Sequence, residues 1–117
     1  MIKGIGIDIV DINRFDDLLT EPFLNRILSP KERLVYDAFK ETNRKQTYLA
    51  GRFAVKEAYT KAVGTFHTPL NFKDVSVLND ASGKPYILTP YEPHVKAHVS
   101  LSHTATTVVA QVVLEDA

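Results

Sequence analysis

The 117-residue sequence has no cysteine, no tryptophan and only one methionine, and its charges carry no net sign. The absence of cysteine excludes a disulfide scaffold, a thiolate nucleophile and a cysteine-bound zinc site. Because 14 basic residues balance 14 acidic ones, the general electrostatic footprint of a nucleic-acid-binding protein is missing. We therefore expect no nucleic acid among the partners.

Long apolar runs are also missing. No stretch approaches the length that crosses a membrane, and the N-terminus lacks the basic-then-apolar layout of a signal peptide. The length, the ordinary apolar content and the absence of a linker, repeat or low-complexity tract predict one domain over residues 1–117. We expect a cytoplasmic protein without a membrane partner.

The most informative stretch predicts a long helix at the centre of the protein. At 3.6 residues per turn, Leu49 and Phe53 lie on one side of Glu57, and alanines at every fourth position from 50 to 62 lie on the other. Glu57 and Lys61 then lie within an apolar arc, where each charge would be costly to bury without a partner. Two interpretations stay open: a buried Glu57–Lys61 ion pair, or a metal or phosphate site.

A strand is predicted from Met1 to Val10. Its isoleucines at 5, 7 and 9 face one side, and Gly4, Gly6 and Asp8 face the other. Glycines weaken a strand unless something approaches closely, so this face indicates a cleared surface with a ligand-facing Asp8. The plainer alternative, that Asp8 merely ends the strand, is open at this point.

The next segments have helix signals. Asp11 can cap a short helix, and Ser29-Pro30-Lys31-Glu32 is a capping box with proline at the first helical position. Asn43 and Gln46 resemble a second capping box that would begin the central helix, and Gly64 would end it.

The second half changes to a period of two. A loop that carries His67 is followed by predicted strands at 75–78, 85–88, 98–102 and 106–114, and any helix between 89 and 97 would begin after Pro93. An initial strand, a helical segment with a long central helix and then antiparallel strands predict an α+β fold. His103 ends the motif Ser100-Leu101-Ser102-His103, with the serine hydroxyls on one face and His103 on the other or already in the loop.

Four motifs occur in one order: Gly6-Ile7-Asp8-Ile9-Val10 followed by Arg14, Phe53-Ala54-Val55-Lys56-Glu57-Ala58 with Lys61, Gly83-Lys84-Pro85, and Ser100-Leu101-Ser102-His103. Together they resemble the holo-acyl-carrier-protein synthases, the small 4'-phosphopantetheinyl transferases of fatty-acid synthesis. The resemblance covers essentially the whole chain and implies a single 4'-phosphopantetheinyl transferase domain over residues 1–117. Two departures are Thr65-Phe66, where many members have another glycine, and a short 89–97 segment.

The resemblance implies an enzyme that moves 4'-phosphopantetheine from coenzyme A to a serine of apo acyl carrier protein, releasing 3',5'-ADP. Its catalytic residues would be Asp8, Glu57, Lys61 and His103. Asp8 and Glu57 match the ligands of Mg2+, a hard ion that prefers oxygen. Lys61 would stabilise phosphate charge, and His103 would lie near the pyrophosphate. Glu57, Asp8 and a metal-bound water stay open as the base that takes the serine proton.

The family pattern also assigns binding residues. Those for coenzyme A are Arg52, Lys61, Gly83, Lys84, Pro85, Ser102 and His103, with Arg44, Lys45 and Lys56 as further candidates for its phosphates. Carrier protein would contact Arg14, Arg26 and an exposed apolar residue, Leu18. The resemblance further implies a homotrimer with each active site between two subunits.

Two other classes of function are compatible with the same residues. A metal-dependent pyrophosphate or phosphodiester hydrolase would use the same carboxylates to activate water and would need no carrier protein. A binding module would use Asp8, Glu57 and Lys61 only as a structural network. The joint occurrence of the four motifs favours the transferase.

Overall fold

The computed structural model describes residues 1–64, 70–91 and 94–117. Within them, one strand is followed by three helices and then four strands, which confirms the predicted α+β fold. The elements are β1 (Ile2–Asp11), α1 (Glu21–Ile27), α2 (Pro30–Ala38), α3 (Thr42–Val63), β2 (Ser76–Asn79), β3 (Pro85–Leu88), β4 (Val95–His103) and β5 (Thr107–Asp116). Two 3-10 turns, Ile12–Phe15 and Phe72–Asp74, lie between them.

The strands form two antiparallel sheets. The larger has the order β1-β5-β4, and the smaller pairs β2 with β3. In the larger sheet Asp8 lies opposite Ala110, and Ala110 lies opposite Leu101. Asp8 and the residues near His103 are therefore carried on the two outer strands, with β5 between them.

The central helix α3 covers one face of the larger sheet. Its alanines at 50, 54 and 58 are fully buried, as are Leu49 and Val55, and they pack with Val108 and Val112 of β5. This confirms that the helix is central and buried. None of the helices in the described part of the chain is both long and apolar enough to span a bilayer.

The glycines of β1 allow α3 to approach the strand at backbone distance. A Cβ added at Gly4 would lie 1.9 Å from the Ala62 carbonyl oxygen, and one added at Gly6 would lie 1.8 Å from that of Ala58. Both are impossible contacts, so only glycine fits. The expectation that the glycines clear a surface for a ligand is wrong: the helix backbone fills that space.

Local sequence signals set the start of α2 and the end of α3. The Ser29 hydroxyl accepts from the Glu32 amide and the Glu32 carboxylate accepts from the Ser29 amide, which confirms the capping box. Gly64 ends α3 with φ of 85°, a conformation that side chains disfavour. The capping box at Asn43 is wrong, since α3 begins at Thr42 and Gln46 instead donates to Asp16 across 2.7 Å.

The remaining sequence predictions concern loops and the ends of elements. The loop with His67 and the Thr65-Phe66 departure lie outside the described residues. Asp11 stands at the N-cap of the first 3-10 turn without a side-chain hydrogen bond to it. Strand β4 already begins at Val95, and the described residues of the 89–97 segment form no helix.

The other face of the larger sheet is apolar and exposed. Ile5, Ile7 and Ile9 are 61%, 57% and 67% exposed on the face that points away from α3. Their partners on β5 include Val113 and Val109, which are half-buried. An apolar stripe of this kind on a sheet typically marks a protein interface.

Candidate active site in two halves

Asp8 and Lys61 meet where α3 packs against β1. The Lys61 ammonium donates to the Ile7 carbonyl oxygen across 3.0 Å and to Oδ1 of Asp8 across 3.3 Å. The Asp8 side chain is 16% exposed, and that of Lys61 is 55% exposed. Oδ2 of Asp8 is buried and has no hydrogen-bond partner among the described residues. A buried carboxylate oxygen without a donor is a position that favours a cation.

The packing of α3 on β1 also brings Glu57 to this end of the strand. Gly4 lies under Ala62 and Gly6 lies under Ala58. Two residues of the strand therefore span about the same length as four residues of the helix, and the two elements run in opposite directions. One more step places Asp8 beside the turn that carries Glu57. The Glu57 carboxylate is half-buried, and no described residue forms a hydrogen bond to it. We call Asp8, Glu57 and Lys61 the acidic half-site.

The acidic half-site offers oxygen ligands that suit Mg2+. Two carboxylates are its metal-binding groups, and among the described residues no third aspartate, glutamate or histidine joins them. Mg2+ is commonly held by one or two carboxylates, with water and substrate phosphate filling the remaining positions. Asp8 and Glu57 therefore fit such an ion.

The buried ion pair of α3 is formed by other residues than the sequence indicated. Lys61 is exposed and Glu57 half-buried, so the buried Glu57–Lys61 pair is wrong. Lys56 and Glu32 instead pair with 1% and 0% of their side chains exposed. Burial lowers the pKa of Lys56, and the adjacent Glu32 carboxylate opposes that shift. Lys56 is therefore no longer a candidate for coenzyme phosphate.

A cleft of about 350 Å3 opens beside the acidic half-site. Its floor is Phe53 and Glu57 of α3, and its walls are residues of α1 and of the segment around the second 3-10 turn. The cleft is lined by, among others, Phe23, Arg26, Ile27, Phe53, Glu57 and Phe72. We call it the Glu57 cleft.

Two of the three residues expected to bind carrier protein lie at this side of the molecule. Arg26 lines the Glu57 cleft, and the exposed Arg14 guanidinium lies 5.2 Å from the centre of the Phe53 ring. The stacking orients Arg14 at low entropic cost. Leu18 differs from expectation, because it is half-buried and packs against the core instead of standing exposed.

A second, larger cleft of about 620 Å3 lies on the other side of α3. Arg52 and His103 both line it, together with Arg44, Tyr48, Asn79 and Tyr86. Arg52 is 7% exposed, donates to the Val77 carbonyl oxygen and the Asn79 side chain, and stacks 4.1 Å over the Tyr48 ring. Burial raises the pKa of Tyr48 to about 12, so its phenol stays protonated at neutral pH. We call this the basic half-site.

The other residues expected to bind coenzyme A are less concentrated. Gly83 and Lys84 are exposed in the turn between β2 and β3, where Asp80 accepts from the Lys84 amide, and Pro85 begins β3. Ser102 lies opposite Val109, on the exposed face of the sheet, whereas His103 lines the basic half-site. The chain therefore brings His103 and Arg52 together, but not Ser102.

Lysine and arginine side chains flank the basic half-site. Arg44 stacks 4.5 Å over Phe39, and Lys45 stacks 4.6 Å over Tyr36. Arg44 is exposed and lines the cleft, where its guanidinium suits a phosphate group, whereas Lys45 is half-buried and does not line it.

The two half-sites of one chain face apart. On α3, Arg52 and Glu57 point about 140° from each other. Asp8 lies on one outer strand and His103 on the other, and strands spaced by one place are about 10 Å apart. A single copy of the chain therefore does not bring His103 and Arg52 onto the Asp8 and Glu57 carboxylates.

Sequence reasoning missed the Lys56–Glu32 pair. Its signal was present, because Glu32 is the glutamate of the capping box and Lys56 lies between fully buried Val55 and half-buried Glu57. What the sequence did not contain was which charged residue of α3 points toward α2.

The sequence of nearly the whole chain matches a known class of enzyme. A sequence model of the 4'-phosphopantetheinyl transferase superfamily matches residues 4–113. That range includes the residues of both half-sites, and the fold is that of this class of transferase.

The similarity extends to particular relatives. The chain is 48% identical over 118 residues to a holo-[acyl-carrier-protein] synthase of Bacillus mycoides (strain KBAB4), covering 98% of this chain and 97% of that protein. It is 44% identical, with the same coverage, to the one of Anoxybacillus flavithermus (strain DSM 21510 / WK1). The chain belongs to the holo-[acyl-carrier-protein] synthase family, whose members are phosphopantetheinyl transferases.

Solved structures agree with this assignment. The crystal structure of a holo-(acyl-carrier-protein) synthase from Bacillus anthracis str. Ames in complex with CoA (3',5'-ADP) superposes with a TM-score of 0.90. It is 46% identical, and the match covers 100% of this chain and 99% of that one.

Proposed function

We propose that this chain transfers 4'-phosphopantetheine from coenzyme A to a serine hydroxyl of apo acyl carrier protein and releases 3',5'-ADP. The serine oxygen forms a bond to the phosphorus that carries pantetheine, and the bond from that phosphorus to the bridging oxygen of the pyrophosphate breaks. By analogy with the family, we further propose that the reaction serves fatty-acid synthesis and takes place in the cytoplasm. The coenzyme-bound relative from Bacillus anthracis supports coenzyme A as the donor.

The observation that carries the proposal is the buried Oδ2 of Asp8, which has no hydrogen-bond partner in the described part of the chain, while its Oδ1 accepts from Lys61. Asp8 and Glu57 would hold Mg2+, which supplies a Lewis acid that offsets negative charge on the pyrophosphate. The Lys61 ammonium would stabilise phosphate oxygens, Arg52 would bind the nucleotide end of the coenzyme, and His103 would contact its pyrophosphate. The acidic half-site would also take the serine proton, on Asp8, on Glu57 or on a water there.

Intact mass spectrometry tests the reaction. We expect apo acyl carrier protein incubated with this protein, coenzyme A and Mg2+ to gain the mass of one phosphopantetheine, and we expect the gain to be lost with chelator. Coenzyme A consumed in the absence of any carrier protein would favour the hydrolase instead. An unchanged carrier in the presence of folded, coenzyme-binding protein would refute the transfer.

We further propose a homotrimer in which each active site lies between two subunits. In a closed ring every interface joins two different surfaces, so the acidic half-site of one copy meets the basic half-site of the next. The opposite directions of Arg52 and Glu57 on α3 support this arrangement, and the exposed isoleucines of β1 supply an apolar interface.

Ile7→Glu is expected to convert the trimer to a monomer and to abolish transfer. The side chain lies on the exposed face, 57% accessible, so the change adds a charge to the proposed interface without filling the acidic half-site. Multi-angle light scattering gives the mass in solution. Leu34→Glu, at a 75% exposed position on α2, is the matched control and should remain trimeric. A stable, active wild-type monomer would contradict the arrangement.

Arg14→Glu is expected to raise the KM for carrier protein about tenfold while the KM for coenzyme A stays the same. The family resemblance implies that the recognition helix of acyl carrier protein is acidic, so a glutamate at position 14 would repel it. The effect should shrink with added salt. Arg44→Glu makes the same charge change at the other cleft and should leave the carrier KM as it was. Equal carrier KM values for wild type and Arg14→Glu would remove Arg14 from the docking surface.

A further inference from the structure

The ammonium of Lys56 is buried and uses all three of its hydrogen-bond donors. It donates to the Ile27 carbonyl oxygen across 2.7 Å, to the Phe72 carbonyl oxygen across 2.9 Å, and to Oε1 of Glu32. Only 1% of the side chain is exposed. Three directional bonds from one atom fix the distances between the three segments that accept them.

Two of those acceptors belong to the walls of the Glu57 cleft. Ile27 is the last residue of α1, the helix that carries Phe23 and Arg26 on one wall. Phe72 begins the second 3-10 turn and forms the opposite wall. Lys56 itself immediately precedes Glu57 in α3, which is the floor. One ammonium thus ties both walls to the floor.

Glu32 fixes the ammonium in turn. Its Oε1 accepts from the Ser29 amide across 2.9 Å, and its Oε2 accepts from the Val77 amide across 2.7 Å. The carboxylate is fully buried and therefore rigid. The position of Lys56 is set by α2 and β2 as well as by its own helix.

We propose that Lys56 is a positioning residue that sets the width of the Glu57 cleft for carrier protein. The inference rests on the proposed function, because it takes that cleft, with Arg26 on its wall and Arg14 stacked on its Phe53 floor, as the carrier surface. Lys56 touches neither substrate. It acts through the backbone of Ile27 and Phe72, so its loss changes the spacing of the two walls between which carrier protein docks and weakens that docking.

The test compares two variants of the full-length protein. Lys56→Met combined with Glu32→Gln removes both charges and both wall bonds, while avoiding an unpaired buried charge. Glu32→Gln alone is the control, because its amide oxygen can still accept from Lys56 and from the Ser29 amide, and the Lys56 bonds to Ile27 and Phe72 remain. The Val77 amide loses its acceptor and the Glu32 charge is removed in both variants, so the difference between them isolates Lys56. Circular dichroism and coenzyme A binding check that both variants are folded, and steady-state kinetics with each substrate gives the two KM values.

We expect the double variant to raise the KM for carrier protein about tenfold, with the KM for coenzyme A within about twofold of wild type and Glu32→Gln close to wild type in both. A merely structural role would lower the active fraction and hence kcat, leaving both KM values unchanged, and that result would overturn the proposal. Equal rises for both variants would also overturn it, since the wall bonds would then not matter. Failure of the wild-type protein to modify any carrier would refute the proposed function instead.

Discussion

A mixture of two inactive variants is expected to regain activity. Glu57→Gln removes a carboxylate of the acidic half-site, and His103→Ala removes the imidazole of the basic half-site. Each variant alone should lose at least about a hundredfold in transfer rate, since one removes a metal-binding carboxylate and the other a group proposed to contact the pyrophosphate. When both kinds of subunit are assembled into one trimer, some sites again contain a complete set.

The physical reason is the geometry of the ring. The His103→Ala subunit retains an intact acidic half-site, and the Glu57→Gln subunit retains an intact basic one. Where the intact acidic half-site of one subunit meets the intact basic half-site of the other, the active site is complete. With random assembly of equal amounts, roughly a quarter of the interfaces pair the two intact halves. Once the unmixed trimers are removed, every remaining trimer has one such interface in three, so we expect roughly a third of the wild-type rate per site.

Co-expression with two different affinity tags and tandem purification isolates the mixed trimers, and the carrier mass assay gives the rate. Two Glu57→Gln copies that carry the two tags are the control and should remain inactive. If the mixed trimers stayed as inactive as the single variants, each active site would be built within one chain. That result would refute the proposal that active sites lie between subunits.

The predictions that held came from signals written into adjacent residues. The capping box of Ser29 and Glu32 and the glycine cap at Gly64 depend on hydrogen bonds and dihedral angles within a few residues, so the sequence alone defines them. The strands of the second half were located by their alternation and by the turn at Asp80 to Gly83.

The rotation of α3 about its own axis could not be read in the same way. A helix that is apolar around most of its circumference has no single buried face, so its periodicity does not say which side meets the sheet and which meets α2. The sequence pattern put the charges of Glu57 and Lys61 within a buried apolar arc, as an ion pair or as a metal or phosphate site. Packing instead directs Lys56 inward to Glu32 and leaves Lys61 half in solvent at Asp8. Adjacent residues of a helix point about 100° apart, so Lys56 can point toward Glu32 while Glu57, the next residue, points elsewhere.

The glycines of β1 show the same limit. Their sequence pattern indicates that something approaches the strand closely, and this was correct. What approaches is the backbone of α3 at Ala58 and Ala62, not a ligand. A Cβ-free strand face gives the same sequence signal for both, because only the three-dimensional partner differs.

Glu32→Ala is expected to lower the free energy of unfolding by about 3–5 kcal/mol, because it leaves the buried Lys56 ammonium without its counter-charge. The cost has two parts. The ammonium keeps only the carbonyl oxygens of Ile27 and Phe72, and the Ser29 and Val77 amides each lose a buried acceptor.

Glu21→Ala is the matched comparison, since Glu21 is also a glutamate in an ion pair. It contacts Arg33 at the surface with 68% of its side chain exposed. A pair in that setting contributes little to stability, and salt screens part of it, so Glu21→Ala should lower the free energy of unfolding far less than Glu32→Ala. Urea unfolding at one fixed protein concentration measures both variants, because the stability of an oligomer depends on concentration. A loss below about 1 kcal/mol for Glu32→Ala would mean that the ammonium escapes to solvent or deprotonates. The three hydrogen bonds of Lys56, to Ile27, Glu32 and Phe72, would then not fix the shape of the Glu57 cleft.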